Sequence, residues 1–116
     1  VVIEIEGVTP LISVKEVHSD LGINARWSTF EFNVPATSVS FTATINGGEG
    51  NVDLYVSEGK KPTTQKFDCR PQLEGNDETC VMEMPSEGTW YVRLRGERHY
   101  SDVTLTLEAL YPELLN

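Results

Sequence analysis

The chain has 116 residues, the size of one domain with one core, and carries 9 basic against 18 acidic side chains for a formal net charge of −9. Such an acidic surface repels phosphate backbones and anionic membranes, which argues against nucleic acid or membrane as a partner. No apolar run approaches the ~20 residues of a membrane-spanning helix, and no basic segment stands ahead of an apolar one as in a signal peptide.

The first residues, Val1-Val2-Ile3-Glu4-Ile5-Glu6, begin as though mid-strand, as expected of a domain excised from a longer precursor. Ile12 and Val14 start a strand, and Ser19-Asp20-Leu21-Gly22-Ile23-Asn24 has the composition of a loop. Residues 1–24 therefore read as an N-terminal strand and a linker-like segment, and residues 25–112 as the domain proper. From Phe30 onward, period-2 alternation dominates. Phe30, Phe32 and Val34 share one face of a strand, then Val39, Phe41, Ala43 and Ile45, then Val52, Leu54 and Val56. Cys80, Met82 and Met84 share the next face, followed by Trp90, Val92 and Leu94, and by Val103, Leu105, Leu107 and Ala109. Trp27 breaks the parity of its strand.

Turn signals punctuate the runs at Pro35-Ala36, Asn46 to Gly50, Glu58-Gly59, Glu74 to Asp77, Glu87-Gly88 and Ser101-Asp102. No segment of helical period reaches ten residues. Runs with one apolar and one polar face imply antiparallel sheets that bury one side each. Two such faces must meet to make a core, so the expected fold is all-β, a jelly-roll-like antiparallel β-sandwich. The predicted core holds Phe30, Phe32, Phe41, Leu54, Val56, Trp90, Val92, Leu94, Leu105 and Leu107.

Cys69 and Cys80 are the only cysteines. Their spacing matches neither a zinc ribbon nor a redox pair, both of which place two residues between cysteines. A disulfide is the simplest use and implies an oxidising compartment, hence export; two buried thiols are the alternative.

Several stretches together resemble the bacterial pre-peptidase C-terminal domain. They are Gly50-Asn51-Val52-Asp53-Leu54-Tyr55-Val56, Pro62-Thr63, Phe67-Asp68-Cys69-Arg70-Pro71, Asn76-Asp77-Glu78-Thr79-Cys80, the strand from Gly88 to Leu94, and Tyr100 to Leu105. The resemblance covers roughly residues 25–110, with Asn51 standing where an Asp is common. It implies a non-catalytic domain that accompanies a secreted metallo- or serine peptidase. Such a domain would attach to insoluble protein substrate, for instance collagen, or assist secretion and maturation. The expected partners are that insoluble protein or the parent catalytic domain, with the chain itself a monomer. More distantly, the chain is similar to the collagen-binding domains of clostridial collagenases. Glu4, Glu6, Glu16 and Asp20 do not reproduce the calcium-binding stretch of those domains.

Three constellations bear on chemistry. His99, Ser101 and Asp102 are neighbours along a turn, whereas a working triad needs side chains converging in space, so no catalytic residue is expected. Glu49, Asn51 and Asp53, or Asn76, Asp77 and Glu78, offer oxygens to calcium, a possible but not required cofactor. Turn chemistry accounts for the same residues. Tyr55, Tyr91, Arg93 and Arg95 fall on the polar parity of two strands. If adjacent, they form an aromatic and cationic face suited to binding substrate. The alternative is internal packing, with Asp53 paired to Arg93. A polysaccharide-binding module of an extracellular hydrolase is the competing function for the same sandwich.

Overall fold

The computed structural model describes residues 10–22, 27–71, 75–96 and 99–113. The expectations for Val1 to Glu6 and for Ile23-Asn24 lie outside these residues. Seven strands follow in chain order: β1 (Leu11–Leu21), β2 (Trp27–Val34), β3 (Ser40–Asn46), β4 (Val52–Glu58), β5 (Glu78–Glu83), β6 (Gly88–Gly96) and β7 (Val103–Pro112). They form two antiparallel sheets, one in the order β1-β7-β3-β5 and one in the order β2-β6-β4. The fold is the expected all-β sandwich.

Alternation explains the core. Phe41, Ala43 and Ile45 of β3 and Val103, Leu105, Leu107 and Ala109 of β7 face inward from the larger sheet. Phe32 and Val34 of β2, Val52, Leu54 and Val56 of β4, and Trp90, Val92 and Leu94 of β6 face them from the smaller one. The Phe41 ring stacks on Phe32 at 5.0 Å and meets Trp90 edge-on at 5.7 Å. The Trp90 indole satisfies its one donor by bonding the Ser86 carbonyl at 2.9 Å. Phe30 is only half-buried and packs against the His18 ring of β1 at 4.7 Å, at the rim between the sheets.

Two local expectations need correction. Ser19 to Leu21 belong to strand β1, which pairs with β7, and are not loop. The register shifts between His18 and Leu21, and Asp20 takes a left-handed conformation with φ 57°. A bulge of this kind breaks the period-2 signal and favours turn-forming residues, so a strand reads as a loop. Met84 does not share the face of Cys80 and Met82. β5 ends at Glu83, and Met84 has φ 48° and is 72% exposed.

The glycine turn before β4 is fixed by a close backbone approach. Glu49 pairs with Ser101 through two backbone hydrogen bonds of 3.0 and 3.1 Å. A Cβ on Gly48 would fall 1.9 Å from the Ser101 carbonyl oxygen, and one on Gly50 2.1 Å from that of His99. Glycine therefore sits on both sides of Glu49 so that this loop can dock against the entry to β7.

Candidate functional site

The outer face of the smaller sheet gathers the four residues that the sequence singled out. Register sets Arg95 opposite Trp27 and Asp53, Arg93 opposite Thr29 and Tyr55, and Tyr91 opposite Glu31 and Ser57. The face is not the open aromatic and cationic patch expected. Tyr55 is fully buried, at 0% exposure. The segment between β4 and β5 folds back over it, bringing Phe67 edge-on to the Tyr55 ring at 6.0 Å. Arg70 lays its guanidinium over the same ring at 4.6 Å and reaches the Asp53 carboxylate at 3.8 Å. On the other side, Trp27 meets Tyr55 edge-on at 5.0 Å.

The two β6 arginines join this stack. Arg93 sits 4.1 Å over the Trp27 ring and Arg95 5.7 Å from it. Arg93 donates to the Thr29 hydroxyl at 3.1 Å and to the Pro62 carbonyl at 2.9 Å. Desolvation lowers the pKa of its guanidinium from the usual value, yet an arginine stays a cation. Rings and guanidiniums thus interleave into a second small core, each cation lying on an electron-rich ring face. The alternative pairing of Asp53 with Arg93 gives way to Arg70, because register sets Arg93 against Tyr55. Tyr91 is left half-buried at the end of the face. Trp27, Phe67 and Arg70 were missed as members of this cluster. The polar parity of Trp27 on β2 was the available signal.

The free edge of β4 carries the second feature. β4 is an edge strand, and its outward N–H groups fall on every second residue. Val52 donates to Asn76 Oδ1 at 3.0 Å, Leu54 to Glu78 Oε1 at 2.8 Å, Val56 to the Cys69 carbonyl at 2.9 Å, and Glu58 to Asp68 Oδ2 at 2.7 Å. The edge is therefore closed by three side chains and one carbonyl, which blocks pairing with another chain. Cys69 and Cys80 form a disulfide that ties the covering segment to β5.

These bonds also engage oxygens of the loops considered for calcium. Asn76, Asp77 and Glu78 accept from backbone N–H groups, Asp77 from Gly47 at 3.2 Å, while Asp53 faces Arg70. Among the described residues no three His, Cys, Asp or Glu side chains converge as metal ligands. Replacing the buried Glu78 with Ala is expected to cost about 1–3 kcal/mol, the penalty of an orphaned buried donor at Leu54. Urea unfolding should show it, and Glu78→Gln, which keeps an acceptor, should lose less. Ser101 is held through its backbone to Glu49, and His99 and Asp102 are exposed. Among the described residues the three make no side-chain hydrogen bond to one another.

The sequence profile of the bacterial pre-peptidase C-terminal domain matches residues 28–96, more than half of the chain. The chain belongs to this family. The matched span of this pre-peptidase C-terminal domain runs from the second residue of β2 to the end of β6 and contains the β4 edge, the disulfide and, Trp27 apart, the ring-and-guanidinium stack. The chain is similar to a neutral protease of Vibrio proteolyticus, 38% identical over 85% of this chain and 17% of that protein. It is 48% identical to a zinc metalloprotease of Helicobacter pylori over 61% of this chain and 28% of that protein. It is 41% identical to alkaline serine exoprotease A of Vibrio alginolyticus over 55% of this chain and 12% of that protein. The chain thus spans a minor part of each. Among solved structures, the solution structure of vEP C-ter 100 is similar at 37% identity and a TM-score of 0.65, covering 77% of this chain and 88% of that one.

Proposed function

We propose that the chain is a non-catalytic accessory domain of a secreted bacterial peptidase, and that its role lies in export and maturation of the parent enzyme. The observation that carries this reading is the pairing of relatives. One stretch is shared with a protein named a zinc metalloprotease and with one named an alkaline serine exoprotease. A zinc centre and a serine nucleophile need different ligands and different geometry. A segment common to both serves something other than either active site. The second role open to such a domain is attachment to insoluble protein such as collagen, which requires an exposed recognition face. Burial of Tyr55 beneath its own loop removes the centre of that face and so favours the maturation role.

The domain acts outside the cell as a monomer, with the parent catalytic domain as its partner, and needs no cofactor. Deleting it from the parent should reduce secreted, active peptidase while the isolated domain hydrolyses no peptide. A chelator should leave its melting temperature unchanged. Retention of the isolated domain on collagen or casein would restore the attachment role, and retention on chitin or cellulose would favour a polysaccharide-binding module. Peptide hydrolysis by the domain alone would overturn the reading entirely.

A further inference from the structure

The acidic chain concentrates its positive charge on one side. Of nine Lys and Arg side chains, all but Lys15, Arg26 and Arg98 belong to β6 or to the segment between β4 and β5. The arginines of this group are committed: Arg70 to Tyr55 and Asp53, Arg93 and Arg95 to Trp27. Lys60, Lys61 and Lys66 are exposed, and among the described residues none of their ammonium groups forms an ion pair. They line a groove of about 710 Å³ together with Phe67, Glu58 and Asp68. Phe67 is 41% exposed there, although its ring is anchored against Tyr55. Asp68 is turned onto the Glu58 N–H. The groove lining carries three positive against two negative charges, a net +1, which leaves −10 for the rest of a chain whose total is −9.

The groove is also rigid at its base. Gly59 donates to the Thr89 carbonyl, and the Pro62 carbonyl accepts from Arg93. Thr63 closes a turn around Lys66, donating its N–H to the Lys66 carbonyl at 2.8 Å and accepting the Lys66 N–H on its hydroxyl at 3.0 Å. Such a surface gives up little conformational entropy when a ligand docks.

We propose that this groove binds a short acidic peptide segment of a partner polypeptide, its carboxylates on Lys60, Lys61 and Lys66 and one apolar side chain on Phe67. Charge complementarity selects an anion in an otherwise repelling molecule. Chemistry selects the kind of anion. Among the described residues the planar forks that chelate sulfate or phosphate, Arg70, Arg93 and Arg95, are taken up by the ring stack, and the cations lining the groove are single-point ammoniums suited to scattered carboxylates. A long polyanion would extend onto the acidic remainder of the surface and be repelled, whereas a short segment ends within the groove. Binding of this kind needs only the isolated domain, whatever the parent enzyme hydrolyses.

Fluorescence anisotropy with a labelled decapeptide of alternating Glu and Leu, compared with its Gln-for-Glu counterpart, tests the assignment. The acidic peptide should bind, and binding should weaken as salt rises. The combined variant Lys60→Ala, Lys61→Ala, Lys66→Ala should weaken it at least tenfold with an unchanged melting temperature, since none of the three lysines packs in the core. Lys60→Arg, Lys61→Arg, Lys66→Arg should retain binding. Equal affinity for the Gln peptide, or for the triple Ala variant, would overturn the proposal. Tighter binding of a sulfated polysaccharide that displaces the peptide would replace the peptide with that ligand. A concentration-dependent rise in sedimenting mass lost in the triple variant would identify a second copy as the occupant.

Discussion

Tyr55→Ala should lower the stability of the domain by about 3–5 kcal/mol, the range for truncating a large buried aromatic. The ring is the hub of the outer face. Trp27 and Phe67 meet it edge-on and the Arg70 guanidinium lies over it, so its removal opens a cavity that three neighbours cannot fill together. Arg70 would also lose the stack that orients it toward Asp53, leaving a partly buried ion pair more loosely held. The loss should appear as a lower denaturant midpoint at constant slope. Tyr91→Ala, at a half-buried site on the same face, should cost about 1 kcal/mol, the centre of the usual range for single substitutions. Parent-like stability of Tyr55→Ala would mean that the face is open surface, and it would then regain its standing as a binding patch.

That contrast shows where sequence reasoning worked and where it stopped. Period-2 alternation reports which side of a strand is apolar, and it located the inward residues of β3, β4, β6 and β7 because the aliphatic residues over the central run of each strand keep one parity. It is silent on what a loop lays over the opposite side. Tyr55 and Asp53 obey the polar parity of β4 and are nevertheless buried, because residues 60–71 supply a lid whose anchors are dispersed along the chain. The Asn76 and Glu78 caps were hidden for the same reason: a turn rich in Asn and Asp looks alike whether its oxygens face solvent, a cation or a strand edge. The disulfide was legible because cysteine chemistry is scarce and local. The groove lysines were visible as residues, yet their isolation from acidic partners depends on which arginines the ring stack takes up.

Removing the disulfide should open one half of the β4 edge and leave the other half closed. In the chain-entropy account, a loop of 11-residue separation contributes roughly 2–3 kcal/mol, so Cys69→Ser, Cys80→Ser should destabilise without unfolding a core that lies mostly outside it. The four outward donors of β4 then divide by what holds their acceptors. Asn76 and Glu78 stand at the entry to and start of β5, which remains paired with β3, so the Val52 and Leu54 N–H groups should keep their protection. The Cys69 carbonyl and Asp68 lie on the covering segment, which loses its covalent tie. Amide exchange at Val56 and Glu58 should therefore accelerate by more than the global loss of stability accounts for. A half-open edge of apolar strand is a template for pairing, so the variant should also associate at high concentration, as size-exclusion chromatography would show. Uniform acceleration at all four amides would mean that the disulfide acts only on global stability. Unchanged exchange at Val56 and Glu58 would mean that Arg93 and the turn at Thr63 hold the covering segment without it.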